Sequence, residues 1–354
     1  MASTSSGTTR VSYREEKGPA RKKGPLRGKE ESPLGKGVDR DNENVAIVGW
    51  AVFQSRRNTD VRPTFVIQIA RFTLQEAISR RLVLAGVLIS LGFIGLFTLG
   101  FHFAYDKSLE NLTSAESRLS LGIAFATLTL FGVYVVNYLA SFLALFLSVG
   151  AVSSEIDTGT LHAVLARPLR RSEFIVGRWL GYALMLSVYI VAMTGLVLLV
   201  ARVIAGYEVP DPTNALLLML LEGILLLTVS LLGSTLMPTL ANGVIVFTLL
   251  GLSWLAGIIE FVGRLLQNAP DTTGSNAMLN IGIAVSLLLP SDALWRGASF
   301  YLQSPSMLAV MGVARGGIPF FSTTPPATAL VLWSLAYVGV MLSGAVLAFK
   351  VRDL

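Results

Sequence analysis

The chain has 354 residues, of which 53% are hydrophobic and 14% charged; this is too apolar for a water-soluble domain, and several apolar runs are long enough to span a bilayer. It holds no cysteine and two histidines, His102 and His162, which excludes disulfides and thiol chemistry and argues against an imidazole-built metal or acid–base site. The net charge of +6 sits in the segments between apolar runs, as membrane orientation requires, so no nucleic-acid partner is expected.

Residues 1–60 are rich in Gly, Pro, Ser and charge, with the densest basic cluster between Arg21 and Lys29. They predict a disordered basic cytoplasmic tail, because such a composition buries too little apolar surface to offset its ordering entropy. The first thirty residues carry no apolar core of a secretory signal. The run Val45-Ala-Ile-Val-Gly-Trp-Ala-Val-Phe53 is about half the length of a crossing. It docks on a partner, lies at the interface, or collapses within the tail.

Residues 61–81 alternate apolar positions such as Phe65, Ile69 and Phe72 with Gln68, Arg71, Gln75 and Arg80. That pattern predicts an amphipathic interfacial helix with its arginines toward lipid headgroups. Apolar runs then predict spans at about 82–104, 119–150, 179–204, 215–236, 240–262 and 328–349. The fold class is an all-α polytopic membrane protein with six transmembrane helices, residues 82–354 forming one six-span domain. The first span ends in an aromatic band, Phe101-His-Phe-Ala-Tyr105, where His102 is read as structural.

The longest inter-span stretch, 263–327, holds an apolar patch at 278–289 followed by Pro290-Ser-Asp292. A patch of about a dozen residues suits a re-entrant or interfacial helix better than a crossing. Of the 28 basic residues, sixteen precede the first span, four lie in 155–178 and two follow the last span. Six crossings put these three segments on one side, the cytoplasm, with both termini there, and make 263–327 an outward or re-entrant region. Localisation follows as a multi-pass plasma (inner) membrane protein.

The chain carries no His-Glu-x-x-His helix, no Gly-x-Ser-x-Gly elbow and no Gly-x4-Gly-Lys-[Ser/Thr] phosphate loop, so it is read as a non-enzyme without its own ATPase site. Glu222 falls about two turns into the fourth span, where a carboxylate is expensive and is paired or lines a wet cavity. With Asn137, it is the candidate substrate path; Asn137, Tyr138 and Ser141 alternatively bond between helices. Glu260 and Arg202, near span ends, are expected to snorkel to the interface.

The cytoplasmic stretch 153–178 reads as an elbow. Leu161, Val164 and Leu165 share a helical face, Pro168 stops that helix, and Ser172 caps the next. It either fits a groove in another protein or rests on the membrane surface and merely fixes topology. The pattern Glu155-x-x-x-Gly-Thr-Leu-x-x-x-Leu-Ala-Arg-Pro-Leu-x-Arg-x-Glu-Phe-x-x-Gly-Arg178 resembles the cytoplasmic loop of exporter-type (type-2) ATP-binding-cassette permeases, near the nitrous-oxide-reductase maturation permease branch. The resemblance extends loosely to the six-span layout and to the Phe-x-x-Arg-Asp ending at Asp353; the long basic tail departs from it.

The resemblance implies the permease subunit of an ATP-driven exporter, paired with a second permease copy as a homo- or heterodimer and with two cytoplasmic ATPase subunits. Those subunits would bind ATP and Mg; this chain would hold no cofactor. It further implies that Glu155, Gly159, Thr160, Leu161, Leu165, Arg167, Pro168, Arg171 and Glu173 contact the ATPase as a coupling helix. Two other readings stand beside it: a proton-coupled secondary transporter using Glu222, and a non-transporting scaffold that holds a partner through its tail.

Overall fold

A computed structural model describes residues 63–79, 81–109, 115–157, 171–267, 273–313 and 320–351. The predicted tail 1–60, with its 45–53 run, lies outside the described residues, as does most of the 155–178 elbow. The described residues form helices and no strand: α1 (Pro63–Ser79), α2 (Arg81–Leu109), α3 (Ala115–Ser148), α4 (Ser153–Asp157), α5 (Arg171–Ala205), α6 (Pro212–Leu236), α7 (Thr239–Leu266), α8 (Thr273–Leu288), α9 (Ser291–Leu302), α10 (Pro305–Val313) and α11 (Thr328–Val351).

Six of these, α2, α3, α5, α6, α7 and α11, are long and apolar enough to cross a membrane, at the six predicted places. In hydrocarbon every backbone N–H and C=O must be bonded within its own segment, so an unbroken apolar run of this length has no other stable form. With 35 residues, α5 is about 52 Å long at 1.5 Å per residue, well over the ~30 Å hydrocarbon thickness. Its first turns carry Arg171, Glu173 and Arg178, which puts the excess length at the end that receives the elbow.

Burial sorts the spans. In α3 and α6, 61% of the most apolar window is buried, against 17% in α2 and 11% in α11. The interior is α3, α5 and α6, with α9 and α11 also packed on α6. Its core includes Leu130, Leu145, Tyr182, Leu186, Met219 and Leu225, all fully or nearly fully buried. Lipid-facing leucines and valines cover the outer faces of α2, α5 and α11.

The helix α1 packs on α5 by the face that carries Ile69, Ala70, Thr73 and Ala77. Thr73 and Ala77 are buried, whereas Phe72 is 69% exposed. Close approach selects the small side chains. A Cβ on Gly177 would lie 2.8 Å from the Ile69 side chain, and one on Gly181 2.7 Å from the Ala70 carbonyl oxygen. The Gly177-x-x-x-Gly181 pair thus forms the trough in α5 that seats α1.

Short connections follow their sequence signals. Asp211 caps α6, accepting from the Asn214 backbone N–H at 3.2 Å, with Pro212 at the first helical position. The turn at Met237-Pro238 joins α6 to α7. The amide of Asn242, fully buried, fastens that turn by donating to the carbonyls of Val149 (2.8 Å) and Ser230 (2.9 Å).

The 263–327 region holds three short helices, α8, α9 and α10, the first two bent by 100° about Leu289-Pro290. The start of α8 is tied to the end of α7 by Ser275 Oγ donating to Gly263 O at 2.7 Å. Its end reaches only the middle of α7, where Ser253 Oγ donates to Leu289 O at 3.0 Å. From there α9 leads to Tyr301, whose carbonyl accepts from Asp211 N at the start of α6.

Candidate functional site

Two polar constellations stand out against the apolar bundle. The first lies where the elbow enters and leaves. The residues 158–170, and with them Gly159, Thr160, Leu161, Leu165, Arg167 and Pro168, lie outside the described residues. Glu155 belongs to α4, and Arg171 and Glu173 to the first turn of α5. What joins them to the spans is Arg178, 4% exposed. Its Nη2 pairs with Glu155 of α4 and stands 3.0 Å from Glu76 Oε2 of α1, while its guanidinium lies 5.2 Å from the Phe174 ring centroid. One cation thus links three helices, at an exposure where an unpaired charge is costly.

Two further ties spread from this end of the bundle. Arg171 Nη1 donates to the carbonyls of Lys350 (3.1 Å) and Phe349 (3.4 Å), the C-terminal end of α11, where a cation is favoured. The Phe174 and Phe349 rings stack below it, 5.7 Å apart. Ser153 and Thr239 share a 2.7 Å hydrogen bond, joining α4 to the start of α7. The entrance of the elbow is therefore bonded to α1, α5 and α7, and its exit to α11.

The second constellation lies inside the bundle. Glu222 of α6 is 4% exposed, and Asn137 Nδ2 of α3 donates to both its oxygens, at 3.1 and 3.0 Å. Ser141 Oγ lies 3.5 Å from Glu222 Oε1 and donates more closely, at 3.0 Å, to Asn137 O. The two residues predicted for the path are thus brought together. Among the described residues, no ion pair includes Glu222. It lines a cavity of about 20 Å³ with Tyr138, Trp254, Asp292 and Trp295, room for about one water molecule. The buried Trp295 Nε1 has no hydrogen-bond partner among the described residues.

Over this chamber lies an aromatic cluster. Trp254 Nε1 donates to Tyr134 Oη at 3.1 Å, and Tyr134 Oη to Tyr138 Oη at 3.2 Å. Phe320 stacks flat on Trp254, 5.6 Å between centroids, and lies 5.5 Å from Tyr134. Its φ of 80° is unusual for a bulky residue, and these two ring contacts hold it there.

Asp292 opens a chain of charges leading away from the chamber. Arg296 Nε lies 2.9 Å from Asp292 Oδ2, and Arg296 Nη2 lies 2.6 Å from Glu260 Oε2; Glu260 Oε1 also meets Arg264 Nη2 at 2.6 Å. The expectation that Glu260 snorkels is corrected here. It is 6% exposed, because α8 and α9 fold back over α7 and bring Arg296 to it. Arg202 does stay at the surface, paired with Glu208 at 3.0 Å, and exposed His102 stands 3.4 Å from Asp106 one turn on.

Sequence reasoning missed Arg178, Glu76, Asp292 and Arg296 as site residues. The i,i+4 spacings Asp292/Arg296 and Glu260/Arg264, and a lone arginine between Gly177 and Gly181, were signals for three of them. Glu76 had none, since its partner lies 102 positions along the chain.

A comparison with curated proteins gives no match. The family profile described as ABC-2 family transporter protein matches residues 68–354, from within α1 through all six spans to the end of the chain. Together with six spanning helices, that match shows that this chain belongs to the ABC-2 transporter family and is a membrane permease component of an ATP-binding-cassette transporter.

Proposed function

We propose that the chain is the permease subunit of an ATP-driven exporter, working as one of two copies, each docked through the 153–178 elbow on a separate cytoplasmic ATPase that binds the ATP and Mg. The observation that carries this reading is the Arg178 node. A segment that merely fixed topology would need no buried cation linking α4, α1 and α5. Through that node, and through Ser153 to α7 and Arg171 to α11, displacement of the elbow moves four other helices. On this reading Glu155, Gly159, Thr160, Leu161, Leu165, Arg167, Pro168, Arg171 and Glu173 contribute to docking. On this reading both termini lie in the cytoplasm and the spans in the plasma membrane, which the distribution of basic residues supports.

The substrate path runs along α3 and α6 past Asn137 and Glu222, and α8 with α9 forms a re-entrant pair. Support for the pair comes from its contacts: it begins at the Gly263 end of α7, turns at mid-span beside Ser253, and returns to Asp211. The test of coupling is co-purification with an ATPase. Changing both Leu161 and Leu165 to Asp is expected to abolish it; undiminished binding by that variant overturns the docking assignment.

One observation favours a second reading. The buried Glu222 has amide and hydroxyl neighbours but no ion-pair partner among the described residues, which suits a group that exchanges a proton. Transport that persists without ATP and collapses in Glu222→Gln would establish proton coupling instead.

A further inference from the structure

The charge chain Asp292, Arg296, Glu260 and Arg264 ends at a second cavity that the permease reading does not use. Its volume is about 480 Å³, and both guanidiniums and the Glu260 carboxylate line it. Ile283 and Leu287 of α8, together with Leu330 and Trp333 of α11, form an apolar wall opposite. Ser322 and Thr324, from the segment between them, add hydroxyls.

The cavity lies at one membrane boundary. α7 starts at the elbow end, where Thr239 bonds Ser153, and Arg264 comes 25 residues later, near its other end. α11 begins at Thr328, beside Ala327 and Ala329 of the wall. Two charges of one sign face one of the other across this lining. Glu260 is shared between both arginines, and Asp292 compensates Arg296 from the side of the inner chamber. Arg264, 57% exposed, thus keeps donors for an anion. Leu287, Leu288 and Leu332, each more than half exposed, continue the apolar wall along the lipid face.

We infer that this cavity binds the phosphate headgroup of an anionic phospholipid, with Arg264 as its principal contact and the acyl chains lying along α8 and α11. Guanidinium forks match phosphate oxygens in geometry and charge. The apolar wall selects a lipid over a free anion, for which it offers nothing. The inference needs only that these helices lie in a membrane, so it stands or falls apart from ATPase docking.

The test uses the full-length chain, delipidated in detergent and probed with dioctanoyl phosphatidylglycerol, dioctanoyl phosphatidylcholine or inorganic phosphate. Thermal unfolding and native mass spectrometry give the readouts. Phosphatidylglycerol is expected to raise Tm and to remain bound, one per cavity, whereas phosphatidylcholine and phosphate do neither. Arg264→Gln is expected to weaken the response about tenfold, the worth of one charge-assisted contact. Ala329→Phe blocks the cavity from its exposed rim with the Arg264–Glu260 pair intact, and is expected to abolish the response. Equal responses to both lipids, or an unchanged phosphatidylglycerol response in both variants, overturn the inference. An equal response to inorganic phosphate overturns the lipid assignment by making the site one for free anions.

Discussion

The carboxylate of Asp292 occupies the space in which residue 257, a glycine, would carry a side chain. Gly257 is in the middle of α7 and Asp292 in the first turn of α9, so this contact sets how closely the bent α8–α9 pair can approach. It also sets the direction in which Asp292 points toward Arg296, at 2.9 Å.

Gly257→Ala is therefore expected to displace Asp292 and strain its pair with Arg296, destabilising the protein by about 1–3 kcal/mol, the usual cost of overpacking. Thermal unfolding of the purified protein measures this. A companion Asp292→Gly change should recover part of the loss, since it vacates the contested volume.

Arg178→Ala removes the cation that Glu155 and Glu76, partly exposed at 20% and 42%, share. A loss of about 2 kcal/mol is expected, less than for fully buried charges because both carboxylates reach water. Arg178→Lys should rescue only part of it, as a single ammonium lacks the planar fork. If the node transmits elbow motion, ATPase co-purification survives in Arg178→Lys while ATP-dependent transport falls. Transport assays in proteoliposomes beside pull-downs separate the two effects.

Gly181→Val places methyl groups against the Ala70 carbonyl and the Thr73 side chain. The trough seating α1 then closes, with an expected cost of about 2 kcal/mol or more. Thermal unfolding of the purified variant measures the loss.

Glu222→Gln keeps the shape and one acceptor for Asn137, so stability is expected to change by under about 1 kcal/mol. Glu222→Ala leaves the Asn137 amide buried without its acceptor and should cost about 1–3 kcal/mol. Thermal unfolding of both variants, with transport measured on each, separates the structural from the functional contribution of the carboxylate.

The differences between sequence and structure have particular causes. The α6 cap at Asp211 and the Pro238 turn each rest on three or four neighbouring residues and so depend on local sequence alone. The apolar positions of α1 do not by themselves say which of them meets protein: Ile69 contacts α5, whereas Phe72 stays exposed. In a membrane, an apolar face gains as much from lipid as from protein, so hydrophobicity does not say which face packs; the small residues Ala70, Thr73 and Ala77 do. Glu260 was misplaced because its depth depends on α8 and α9 folding over it.

By itself, the sequence determined the six spans, because an apolar run of about twenty residues or more in lipid must satisfy its own backbone and has only the helix to do so. It determined, too, that no phosphate loop is present and that the polar interruption at 155–178 is the segment most unlike its surroundings. Only the tertiary structure decided which polar groups meet. Arg178 with Glu76, Asn137 with Glu222 and Arg296 with Glu260 are pairs 102, 85 and 36 positions apart. Their proximity depends on how each helix is rotated about its axis and which small residues let it approach, and neither is encoded in the hydropathy of any one segment.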